Sequence, residues 1–112
     1  MTIYKPGEVI LIPFPFSDLS GIKKRPALIL AVFDSRQELI CMMLTSAKVQ
    51  TQFDYKIECW KESGLLKPTK ARLHRLFTIN YPRVITRLGK MNPVEFQEII
   101  DRTINLLRKG TP

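Results

Sequence analysis

Three kinds of hydrophobic pattern follow one another along this chain. Val9–Ile12 and the run opened by Pro26 are short apolar stretches that read as buried strands, and Glu38–Thr45 (ELICMMLT) is a longer one, as for a strand buried on both faces. Two alternating segments come next. In Asp54–Cys59, Tyr55, Ile57 and Cys59 take one side and Asp54, Lys56 and Glu58 the other; in Thr69–His74, Ala71 and Leu73 face in while Lys70, Arg72 and His74 face out. Phe77–Ile79, ahead of Asn80-Tyr81-Pro82, fits a short strand or a turn, and Ile85–Met91 a further short strand. From Asn92 the period becomes helical. Asn92 is placed as N-cap, Pro93 as first helical residue and Glu95 three after the cap, with Gly110 to close the helix. Phe96, Ile99, Ile100, Ile104 and Leu107 form one apolar stripe.

The connections sharpen this picture. Pro13, Pro15 and Gly21 punctuate the loop between the first two strands, and Gly64–Pro68 (GLLKP) makes a turn. Short, mostly antiparallel strands followed by one helix predict a mainly β fold with α, an SH3-like small barrel of antiparallel strands plus a C-terminal helix. At 112 residues and 45% hydrophobic the chain suits a single domain over residues 1–112. No apolar run reaches the ~20 residues that span a bilayer, and Met1–Gly7 has no secretory pattern, so the expectation is a cytoplasmic protein without a membrane partner. Cys41 and Cys59 sit in strands at a spacing that suggests neither a redox pair nor a disulfide framework, and with one histidine no metal site or other cofactor is expected.

Charge narrows the range of partners. The net charge is +8, and residues 1–54 carry a net of only +1 while residues 55–112 carry +7. No Asp or Glu occurs between Glu62 and Glu95, a window that holds Lys67, Lys70, Arg72, His74, Arg75, Arg83, Arg87 and Lys90. A solvated basic surface would look like this, and so would the footprint of a polyanion; clustering without acidic neighbours favours the second.

If that polyanion is RNA, cleavage uses the RNA's own 2′-hydroxyl as nucleophile. The protein must then hold the phosphate, move two protons and stabilise the charged intermediate. Arg25 stands at the exit of the first loop and, by itself, could equally be an ordinary loop cation. Thr45 and Ser46 end an apolar strand in two hydroxyls, which also suits a turn. Arg72 and His74, two apart on a strand, project from the same face, and histidine is the side chain suited to proton transfer near neutrality. Lys23, Lys24, Lys70 and Arg75 add backbone cations. Phe14, Phe16 and Phe53 offer rings for splayed bases or for the core.

The run GEVILIPFPFSDLSGIKKRPALIL over residues 7–30 resembles the opening of PemK/MazF-type toxins, small ribonucleases of bacterial toxin–antitoxin pairs. Weaker likeness continues at Leu44-Thr45-Ser46 and over residues 64–79. The resemblance implies the CcdB/PemK-like fold and cleavage of single-stranded RNA to a 2′,3′-cyclic phosphate and a 5′-hydroxyl. It also implies a homodimer and a cognate antitoxin, for whose acidic tail the basic window is suited. Arg25 then matches the arginine that contacts the scissile phosphate, and Thr45, with Ser46 beside it, the hydroxyl next to it. ARLHRLFTIN resembles the R-x-D-x-x-x-x-T-I-D stretch of the Kid branch, in which Arg72 matches the arginine implicated in proton transfer. His74 stands where that branch has its first aspartate and Asn80 where it has its second. Because gyrase poisons of the CcdB type share the fold, a gyrase-binding toxin and a non-catalytic RNA-binding barrel are the alternatives.

Overall fold

The computed structural model describes residues 3–14 and 23–111. Six strands, β1 (Glu8–Phe14), β2 (Lys23–Phe33), β3 (Glu38–Thr45), β4 (Asp54–Lys56), β5 (Lys70–Asn80) and β6 (Thr86–Lys90), precede one helix, α1 (Pro93–Lys109). All pairings are antiparallel, in the order β4-β5-β3-β2-β1-β6. The mainly β fold with a terminal helix therefore holds. The barrel is not closed as a ladder, however, because β4 and β6 do not pair. The connection between β4 and β5 packs into that gap instead. Gly64 (φ +86°) lies so close to β6 that a Cβ would fall 2.0 Å from the Leu88 carbonyl oxygen, and a Cβ on Gly89 would fall 2.3 Å from that of Ser63. Two glycines let the backbones meet where a hydrogen-bonded pair is missing.

The central strands are apolar on both faces because both faces are covered. Val9, Leu28, Met42 and Leu44 join Ile57, Ala71, Met91 and Ile99 in one cluster on the helix side. Ile10, Ile12, Ala27, Ile29 and Cys41 form a second cluster with Leu39 and Ile79, against which Tyr4, Phe77, Tyr81 and Val84 pack. Burial pushes the Cys41 thiol up to about 12.

Several boundaries differ from the sequence reading. β2 begins at Lys23, before Pro26, and its pairing with β3 begins only at Ala27, one residue beyond the proline that lacks an N–H. β4 ends at Lys56 and not at Cys59; the chain turns there, Ser63 and Leu65 N–H donating to the carbonyls of Cys59 and Trp60. Asp54, expected outside, is buried. Residues 70–80 form one strand where a strand and a separate short element were expected. A bulge joins the two halves: on β3 only Met43 lies between the pairs Leu44↔Ala71 and Met42↔Leu76, opposite Arg72–Arg75 of β5.

Helix α1 starts and stops as its sequence indicates. Asn92 Oδ1 accepts from the N–H groups of Val94 and Glu95, and Gly110 (φ 76°) donates to the Leu106 carbonyl. The apolar stripe divides. Phe96, Ile99 and Leu106 pack into the core with Thr103 buried beside them, whereas Ile104 and Leu107 are exposed. Glu95 is diverted from the cap: its carboxylate accepts from Tyr55 Oη (3.1 Å) and from the N–H groups of Glu58 (2.7 Å) and Cys59 (2.9 Å). Burial first, then this carboxylate, pushes the Tyr55 hydroxyl up to about 12.

Candidate active site

β2 and β3 run antiparallel, so the start of one meets the end of the other. Continuing the Ala27↔Met43 register by two residues brings Arg25 level with Thr45, and Thr45 in turn pairs with Lys70 of β5. Side chains at such cross-strand positions share a face. Lys24, Arg25, Thr45, Ser46 and Lys67 line one cleft of about 660 Å³, whose apolar part includes Leu44, Leu65 and Leu88. Four of the sequence candidates, Lys24, Arg25, Thr45 and Ser46, thus meet where the start of β2 lies beside the end of β3.

The local bonds set what these groups can do. Arg25 is exposed, and its Nη1 donates to the neighbouring Lys24 carbonyl at 3.4 Å; among the described residues no carboxylate pairs with it. An exposed guanidinium with no described carboxylate beside it suits an incoming anion. Thr45 Oγ1 accepts from the Ala47 N–H at 3.1 Å, while Lys70 Nζ donates to the carbonyls of Ala47 and Lys48. The strand exit that carries Ser46 is tied down from both sides.

The other candidates lie elsewhere. Arg72 sits opposite Asp54 across β4–β5, with Nη1 at 3.8 Å from Oδ1, and the His74 ring lies 5.0 Å from that of Phe53. Neither lines the cleft. Their face is nonetheless the one expected: the alternation of buried Ala71 and Leu73 with more open Lys70, Arg72 and His74 runs unbroken through residue 74. From Lys70, which pairs with Thr45, Arg72 is two residues further along that face, ~7 Å of strand. Arg75, the last residue of the bulge, lines a different groove of about 490 Å³, with Phe14, Met43, Phe77, Asn80 and Arg83. Lys23 is exposed at the start of β2, paired with Phe14. Phe16 lies outside the described residues.

Two residues beside these candidates were not singled out in the sequence: Lys67, which lines the cleft, and Asp54, which faces Arg72. Lys67 belongs to the acid-free window and to the expected Gly64–Pro68 turn; that this turn folds against the ends of β2 and β3 was not visible. Asp54 carried no signal, because its alternation with Tyr55 placed it on the open side.

The sequence model of the PemK-like, MazF-like toxins of type II toxin–antitoxin systems matches residues 5–107. The chain belongs to this toxin family. Solved structures agree on the fold. The toxin is similar to a chain of the MazE–MazF crystal structure (Form-III) from Deinococcus radiodurans, with 15% identity, 99% of this chain and 100% of that one covered, and a TM-score of 0.76. It is also similar to a chain of an endoribonuclease in complex with its cognate antitoxin from a mycobacterial species (17% identity, 96% and 95% covered, TM-score 0.65). A third likeness is to the Mycobacterium tuberculosis toxin MazF-mt6 (15% identity, 88% and 96% covered, TM-score 0.65). No curated protein matches the sequence.

Proposed function

We propose that this toxin is a metal-independent, sequence-selective endoribonuclease that cuts single-stranded RNA. The observation that carries the reading is the meeting of Arg25, which has no carboxylate partner among the described residues, with Thr45 and Ser46 in one basic cleft. In the reaction the 2′-oxygen attacks the adjacent phosphorus and gives up its proton, and the P–O5′ bond breaks as the leaving oxygen takes one. The products are a 2′,3′-cyclic phosphate and a 5′-hydroxyl. Arg25 contacts the phosphate and offsets the charge of the intermediate, since its guanidinium is planar and always charged. Thr45 and Ser46 position the phosphate. Arg72 and His74 serve as auxiliary cations and proton carriers from the adjoining face, and Lys23, Lys24, Lys70 and Arg75 hold the RNA backbone. Phe14, Phe16 and Phe53 are the candidates for stacking on bases.

The toxin acts in the cytoplasm as a homodimer with RNA across the subunit groove, and an antitoxin with an acidic tail silences it. The structural neighbours that contain an antitoxin support that partner. Incubating the purified protein with a long RNA in EDTA tests the reading. Specific cuts that vanish in Arg25→Ala are expected. Intact RNA alongside gyrase inhibition would favour a gyrase-binding toxin, and salt-dependent RNA binding without cuts a non-catalytic barrel.

A further inference from the structure

Asp54 is the most anomalous charged residue of the described chain. Its side chain is 0% exposed, yet it carries a carboxylate. Oδ2 accepts from the Thr51 N–H at 3.0 Å, in a turn that the Asp54 N–H closes by donating back to the Thr51 carbonyl. Oδ1 is buried and accepts no hydrogen bond among the described residues. A buried carboxylate with one hydrogen bond is a liability to stability, and an apolar residue of similar size would do no worse. What it gains in return is a cation. Arg72 stands directly opposite on β5, with Nη1 3.8 Å from Oδ1 and its side chain 26% exposed. That separation is within Coulombic reach but beyond a hydrogen bond. The guanidinium is attracted and aimed while its N–H donors stay free for another acceptor.

The neighbouring residue repeats the arrangement. Phe53 lies 5.0 Å from His74, and its carbonyl accepts from the Leu73 N–H at 2.8 Å. One two-residue step, Phe53-Asp54, therefore backs both Arg72 and His74. It does so where β5 bulges away from β3, so that the ladder partner of Arg72 is on β4.

We propose that Asp54 is a positioning residue that holds the Arg72 guanidinium, donors outward, for an RNA phosphate without itself touching the RNA. This rests on the RNA-cleaving reading above. The test compares the wild type, Asp54→Asn (which keeps an acceptor for the Thr51 amide), Arg72→Ala and the double variant. Cleavage of a short RNA and the salt dependence of binding to its 2′-deoxy analogue are measured. Arg72→Ala is expected to reduce the salt slope by about 0.7, the share of one phosphate contact on a single strand. Asp54→Asn is expected to lower kcat/KM roughly five- to tenfold, and to lower it no further when Arg72 is already alanine. An equal loss in both backgrounds, or none in either, overturns the proposal.

A readout independent of RNA is the NMR order parameter of the Arg72 Nε–H group. It is expected well above the ~0.6 of flexible groups in the wild type and below it in Asp54→Asn; equal values in the two overturn the proposal. If Asp54→Asn does not fold, Asp54→Ser carries the same comparisons. A wild type that neither binds nor cuts RNA refutes the functional reading, and the order parameter then decides the positioning role by itself.

Discussion

Glu95 holds the third position of α1, where a capping box would turn its carboxylate back to the Asn92 N–H. The chain uses it differently: three donors from Tyr55, Glu58 and Cys59 converge on it and anchor the end of β4 to the helix. Glu95→Ala leaves these donors without an acceptor and is expected to cost about 2–4 kcal/mol, read from urea unfolding. Asn92→Ala removes only a cap and is expected to cost about 1 kcal/mol. Both caps of the helix were legible because their residue types act locally. The role of Glu95 was not, since its partners lie 36 to 40 residues away in sequence. Arg25 is the opposite case. It is exposed and, among the described residues, bonded only to its neighbour's backbone, so Arg25→Ala is expected to leave the thermal midpoint unchanged while abolishing cleavage.

Among the elements, β3 matches its expected bounds, because an unbroken apolar run ending in Thr45-Ser46 leaves little freedom. β4 and β5 were misjudged together. Period-two alternation describes side-chain faces but not where a strand bulges or stops, and both were decided by distant partners. β5 bulges where it leaves β4 to follow β3, and β4 stops where the chain must turn to cover the gap beside β6. Gly64 is the pivot of that cover. Gly64→Ala puts a Cβ on a positive φ and into the Leu88 carbonyl, and is expected to cost about 3 kcal/mol or more. A thermal midpoint within a degree or two of wild type would show that the gap can open without loss.

At the scale of the whole molecule, the two-sided core also sets a response to pH. Cys41, Tyr55 and Tyr81 are each raised to about 12, in every case first by burial, with the Glu95 and Asp34 carboxylates adding to it at the two tyrosines. The unfolded chain releases these protons nearer 9 for the thiol and 10 for the phenols, so between those values and 12 the folded state holds more protons. Stability is therefore complete below about pH 9 and declines as pH rises toward about 12. Urea titrations on either side of that range check the sign. The family was visible in the sequence as one long opening motif, while the acid-free basic window prompted the expectation of a polyanionic partner. The division of the candidates was not visible: the ends of β2 and β3 gather Lys24, Arg25, Thr45 and Ser46, while Arg72 and His74 belong to the β4–β5 edge.

The central claim is cleavage through the RNA's own 2′-hydroxyl at the Arg25–Thr45–Ser46 cleft. The most direct test pairs a cleavable RNA with the same strand carrying one 2′-deoxy nucleotide on the 5′ side of the scissile phosphate, both in EDTA. The account predicts that the first is cut to a 2′,3′-cyclic phosphate and a 5′-hydroxyl by the wild type but not by Arg25→Ala, and that the second stays intact. Cutting of the 2′-deoxy strand at the same bond, or undiminished cutting by Arg25→Ala, would contradict it.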